Sequence, residues 1–177
     1  MSPRKRRVEN QAVIETAARV VTERGARRTR LADVAVEVGL APATLLQRFG
    51  SREELLSAVA RLFADRIAVA FSAPGPSPLA GLASALVSLS ESGDLAVLLA
   101  DFGAHGRAYS LELRKQIGFR LAAAIQAGEL SQCDVAFFAR RIQLGQYGLA
   151  SAALLEGDVV TAASISAMLH EILAGYI

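Results

Sequence analysis

The chain has 177 residues and 18.6 kDa, with 53% hydrophobic and 20% charged residues, a balance that excludes an intrinsically disordered chain and supports one or two small packed domains. The net charge is only +2, but residues 1–71 carry 13 basic and 8 acidic side chains while residues 72–177 carry 6 and 9, the pattern of a polyanion-binding module joined to a different body. A single cysteine and two histidines exclude an internal disulfide and a thiolate metal cluster, so no metal or cofactor is expected.

Apolar residues recur at spacings of three and four almost everywhere, without sustained alternation, so the reading is all-α with about nine helices. The first helix is expected over 8–24, with Val13, Ala17, Val20 and Val21 on one side and Gly25 as its stop. The second is expected over about 30–38, its apolar face made by Leu31, Val34, Ala35 and Val38. A short third helix starts at Pro42, a residue suited to a first turn, and closes at Gly50. Ser51 and Glu54 predict a capping box opening a fourth helix that runs to about residue 71. A linker over 72–78 holds Pro74, Pro76 and Pro78 and falls where the charge composition changes. The expected domains are therefore 1–50, a connecting fourth helix over 51–71, and 72–177. Further helices are expected at about 78–91, 94–105, 108–127, 132–155 and 158–175, with breaks at Ser92-Gly93, Gly106, Gly128 and 156–158. The basic residues 4–7 are followed by Glu9, Asn10, Gln11 and Glu15 rather than an apolar run, and the uncharged stretch 67–90 contains the three prolines. Neither a signal peptide nor a membrane span is predicted, and a soluble, cytoplasmic protein is expected.

Three helices within about fifty residues, the second and third joined by a tight turn at Gly39, make a helix-turn-helix pattern. In such a unit the second helix braces across the phosphate backbone and the third lies in the major groove, its N-terminal residues nearest the base edges. Leu45 and Phe49 supply the inner face of the third helix, while Ala43, Thr44, Gln47 and Arg48 form its outer face. Gln reads adenine, Arg reads guanine, and a Thr hydroxyl holds a phosphate.

These residues resemble the TetR family of bacterial transcriptional regulators. The resemblance rests on Glu23-Arg24-Gly25, Thr29, Asp33-Val34-Ala35, Glu37-Val38-Gly39-Leu40, Thr44-Leu45, Phe49 and Ser51-Arg52-Glu53-Glu54-Leu55-Leu56, over roughly residues 10–60, with Ala127-Gly128-Glu129-Leu130 as a further familiar stretch. It implies an N-terminal three-helix helix-turn-helix domain and a C-terminal helical ligand-binding and dimerisation domain. The family's usual Ser or Thr cap is here Arg30, which leaves Asp33 to support the second helix through the dipole alone. Its usual Ser and Lys opening the third helix are Ala41 and Pro42, and its usual Tyr is Leu46. Arg27, Arg28, Arg30, Arg48, Arg52 and the arm Arg4, Lys5, Arg6 and Arg7 are expected to compensate, the arm along the adjacent minor groove. With Thr29, these residues complete the expected DNA contacts.

In the second domain Phe102, His105, Tyr109, Phe119, Phe138 and Tyr147, with Phe137, are the candidates for lining an effector cavity, whose apolar character suits a hydrophobic or aromatic ligand. Asp101 and His105 form an i,i+4 pair, but no nucleophile or oxyanion motif accompanies them, so no enzyme is expected. Cys133, near a helix start, reads as a buried, inert thiol. Gly145, Gly148 and Ala152 in the eighth predicted helix, and Val160, Met168 and Ile172 in the ninth, are expected at a two-fold homodimer interface. The resulting expectation is a ligand-responsive repressor of palindromic operator DNA. The alternative is a regulator controlled by a protein partner without a small-molecule pocket.

Overall fold

A computed structural model describes residues 9–92 and 106–177. Among these the chain forms eight α-helices, one 3-10 turn and no strand: α1 (Asn10–Arg24), the turn Ala26–Arg28, α2 (Leu31–Val38), α3 (Pro42–Phe49), α4 (Arg52–Ser72), α5 (Pro78–Glu91), α6 (Gly106–Gln126), α7 (Val135–Glu156) and α8 (Ala162–Leu173). None of the described helices is long and apolar enough to cross a membrane. The helix expected over 94–105 and the start of the first helix at Val8 lie outside the described residues.

Most boundaries have a local cause. Gly25, Gly39, Gly128 and Gly157 take positive φ at or beyond helix ends, conformations that other residues adopt with strain. Ser51 Oγ accepts from the Glu54 amide at 3.1 Å, so one half of the expected capping box forms; α4 has no return bond from Glu54. The expectation for α2 is corrected in the other direction. Asp33 Oδ2 accepts the Arg30 amide at 2.8 Å, a direct hydrogen bond rather than a dipole effect alone. Gly106, expected as a break, is already helical. The last helix is shorter than expected because Gly157 ends α7 in the left-handed region and Thr161, paired with Ser164, opens α8 only at Ala162. At α5 the N-terminal groups are met from a distance: Glu129 Oε2 accepts from the Ser77 hydroxyl at 2.9 Å and the Leu79 amide at 3.0 Å. A carboxylate there also opposes the positive end of the helix dipole. That gives the Ala127–Leu130 stretch a structural role, with Leu130 buried beside it.

Helix α4 is the spine. It packs on α1 at one end and on α5 and α6 at the other, and α6 then packs on α7, and α7 on α8. Val13, Val20, Val21, Val34 and Leu45 fill the core of the first unit, and Phe63, Ile67, Leu82, Leu113, Ile117 and Leu121 that of the second; all are fully buried. One continuous apolar cluster contains both sets.

Candidate nucleic-acid interface and the helical body

The turn between α2 and α3 is set by backbone hydrogen bonds. Gly39, at φ 67° and ψ 33°, lets its own amide reach the Val36 carbonyl at 3.2 Å and the Leu40 amide reach that of Ala35 at 2.9 Å. Pro42, without an amide proton, follows as the first residue of α3. Leu45 is then fully buried and Phe49 half-buried against the core, which turns the opposite face of α3 outward. Ala43, Leu46 and Gln47 are exposed, and Thr44 and Arg48 are half-buried. Arg28, in the 3-10 turn, and Arg30, just before α2, are also exposed.

Two residues expected on DNA are engaged inside the protein. Thr29 is only 2% exposed and its hydroxyl donates to the Gly25 carbonyl at 3.0 Å. Arg52 donates from Nε to the Thr29 carbonyl at 2.7 Å and from Nη2 to that of Ala26. It therefore clamps the 3-10 turn to the start of α4. Three acidic residues of this unit are paired: Arg19 bridges Glu23 at 3.0 Å and Glu37 at 2.7 Å, and Arg24 meets Asp33 at 3.3 Å. The hydrogen bonds that Arg19 donates to Glu37 and Glu23 hold the pKa of its guanidinium above the ordinary value. The arm residues Arg4, Lys5, Arg6 and Arg7 lie outside the described residues.

In the body, Phe102, His105 and Asp101 also lie outside the described residues, and the other aromatic candidates are not gathered in one place. Tyr109 is buried on α6. Phe138 is buried at the start of α7, edge-on to Phe137 at 5.3 Å and to Tyr176 at 4.9 Å. Phe119 is 60% exposed and lies on a surface groove rather than in the interior. Cys133 is half-buried just before α7. The residues that sequence reasoning missed are polar. Gln143, 1% exposed, donates from Nε2 to the Ser110 carbonyl at 2.6 Å and contacts the Tyr147 hydroxyl at 3.0 Å, and its Oε1 accepts from Arg114 Nε at 2.9 Å. Gln146, fully buried, donates to the Leu86 carbonyl at 3.2 Å, while its Oε1 has no hydrogen-bond partner among the described residues. Two glutamines three apart on the apolar side of a long helix were the available signal.

The expected dimer residues divide into two groups. Gly145 is where α7 and α8 touch within one chain: a Cβ there would come within 2.6 Å of Met168 Sδ and 3.3 Å of Ile172 Cδ1. Val160 is half-buried against the core. Gly148 and Ala152 do face outward, in a stripe with Phe137, Leu144 and Leu155. Ala163, Ala167 and His170 form the matching exposed stripe of α8.

Residues 13–59 match the model for bacterial regulatory proteins of the tetR family. No curated protein sequence matches the chain. Several solved structures share the fold. One, assigned to the TetR family of transcriptional regulators from Rhodococcus sp., has a TM-score of 0.72 and 23% identity and covers 91% of this chain and 94% of that one. SmeT, the repressor of the Stenotrophomonas maltophilia multidrug efflux pump SmeDEF, has a TM-score of 0.74 and 18% identity, covering 96% and 91%. The transcriptional regulator FadR from Bacillus subtilis, in complex with stearoyl-CoA, has a TM-score of 0.72 and 16% identity, covering 94% and 99%.

Proposed function

For a chain that belongs to the TetR family through residues 13–59 and shares that fold along its length, we propose the function of a cytoplasmic, homodimeric repressor that a small apolar or aromatic molecule releases from palindromic operator DNA. The observation that carries the DNA-binding half is α3. Its inner face is locked by Leu45, and its outer face presents Thr44, Gln47 and Arg48 with Arg28 and Arg30 alongside. Ala43 adds a methyl that suits a thymine contact, and the arm Arg4–Arg7 is read as a minor-groove contact. In this reading Arg52 and Thr29 act indirectly, by holding the turn from which Arg28 and Arg30 project.

The outward stripes of α7 and α8 form the dimer seam, so that two α3 helices face half-sites about one helical turn apart. The body is the regulatory domain, divided from the DNA-reading unit at the linker after α4. Gln146 Oε1, buried and without a hydrogen-bond partner among the described residues, favours a small-molecule effector that brings a donor over a protein partner. That a fold relative holds stearoyl-CoA supports an apolar ligand too. Coupling follows from linkage: a ligand that prefers one separation of the two DNA-reading units shifts the dimer away from the other by its differential affinity. Helix α4 carries that movement because it is fastened at both ends, by Arg52 to the first unit and by Arg120 to the second. The test is binding of the purified protein to the DNA upstream of its own gene. Binding should weaken steeply with salt, and a salt-independent or absent interaction overturns the proposal.

A further inference from the structure

The face that α3 turns away from the core carries no charge. With buried Leu45 as the inward direction and a turn of about 100° per residue, Ala43 and Gln47 lie about 160° away on either side, and both are exposed. Leu46 stands about 60° round from Ala43 on the same outward half and is 51% exposed. Arg48, the single charged residue among Pro42–Phe49, is half-buried and lies about 60° from Leu45, on the core side. One exposed leucine on a protein surface is ordinary. Here it adjoins an exposed alanine on a helix of eight residues, about 12 Å long, so the apolar patch takes up much of the face that the helix offers.

Base edges in the major groove differ in what they ask of such a face. Guanine presents two acceptors and is met by Arg or Lys; cytosine presents an amino donor and is met by Asp or Glu. Neither type points outward among Pro42–Phe49. Adenine presents an acceptor beside a donor, which the Gln47 amide matches with both of its groups, and thymine presents a methyl, which an apolar side chain covers. We infer that Leu46 is a specificity-determining residue: with Ala43 it seats against the C5-methyl of a thymine, beside the base pair whose adenine Gln47 reads, so that each operator half-site places A·T pairs under α3. This rests on the DNA-binding reading proposed above and extends it from the face that touches DNA to the bases that the face selects. Leucine, unlike the tyrosine usual in the family at this place, has no hydroxyl to offer a phosphate, so its share of the affinity is independent of salt.

The test starts from duplexes that the purified full chain selects out of a random pool. In the selected site each thymine is replaced in turn by deoxyuridine, which pairs alike and lacks only the methyl. For the parent chain at least one position per half-site should lose affinity about fourfold, the equivalent of about 0.8 kcal/mol for burying one methyl-sized group. Leu46→Ala should bind the thymine duplex about fourfold more weakly or worse and suffer no further loss from deoxyuridine at that position, whereas Leu46→Met should keep most of the thymine preference. Neither substitution should change the slope of log K against log salt, nor the helical circular dichroism, because position 46 is exposed. A selected half-site without thymine, a parent chain insensitive to deoxyuridine at every position, or an equal deoxyuridine loss in the parent and in Leu46→Ala overturns the role of Leu46 while DNA binding itself stands. A protein that selects no sequence overturns both.

Discussion

Arg120 of α6 donates from Nη2 to the carbonyl of Ala73, the residue that ends α4, at 2.9 Å. The same nitrogen reaches the Phe71 carbonyl, and Gly81 leaves room for the guanidinium, since a Cβ there would lie 2.7 Å from Nη1. A cation thus closes the C-terminus of the helix joining the two units, where unmet carbonyls and the negative end of the dipole coincide.

Replacing Arg120 with Met keeps the aliphatic stem and removes the charge and both bonds. Stability should fall by about 1–2 kcal/mol, read as a lower urea midpoint at constant slope. Gly81→Ala should weaken the same contact by displacing the guanidinium. An unchanged midpoint in both variants rules out the role given to Arg120.

Arg52 separates two explanations that sequence alone leaves joined. If it touched a phosphate, Arg52→Ala would lower the slope of log K against log salt by about 0.9. Because its Nε and Nη2 are engaged by Thr29 and Ala26 and its Nη1 by Glu53, the variant should lose stability and affinity while the slope stays that of the parent. Arg28→Ala should do the opposite, with a shallower slope and a normal melting temperature.

Gln47 lies exposed on α3, in position for a base edge. Gln47→Ala should weaken operator binding by about 1–3 kcal/mol and leave binding to random DNA almost unchanged. Equal losses on both kinds of DNA would remove Gln47 from sequence reading.

Gln146 should show a stability effect opposite to that of most buried polar residues. Its Oε1 has no hydrogen-bond partner among the described residues, and the Leu86 carbonyl that its amide meets also accepts from Ser90 Oγ at 2.9 Å. Gln146→Leu should therefore leave the effector-free protein as stable, or more stable by up to about 1 kcal/mol. A loss of 2 kcal/mol or more, on the order of a broken buried network, would mean that the amide is structural.

Gly145 marks the α7–α8 contact within one chain. Gly145→Val should destabilise the protein by about 1–3 kcal/mol through overpacking against Met168 and Ile172. Met168→Ala in the same chain should return part of that loss. Additive losses in the double variant would show that the two residues do not share one space.

The sequence by itself determined the helices of the first unit nearly residue by residue, because their signals are local. Gly39 can take a left-handed turn, Pro42 suits a first turn, Ser51 caps an N-terminus, and Leu45 falls on the inner side of an eight-residue helix. The continuous spacing of three and four also fixed the all-α class. What only the tertiary structure decided are the contacts between residues far apart in the chain. Arg52 lies 26 residues from Ala26, and Arg120 lies 47 from Ala73; the sequence pointed Arg52 toward DNA and carried no local signal for Arg120. Glu129 caps a helix fifty residues before it. Phe119 carries the same hydrophobicity as Phe138, yet one faces solvent and the other the core, since helix–helix packing rather than residue type decides which side of a long helix is covered. The same holds for Gly145 and Gly148: three residues apart, they turn to different neighbours, one to Met168 in its own chain and the other outward.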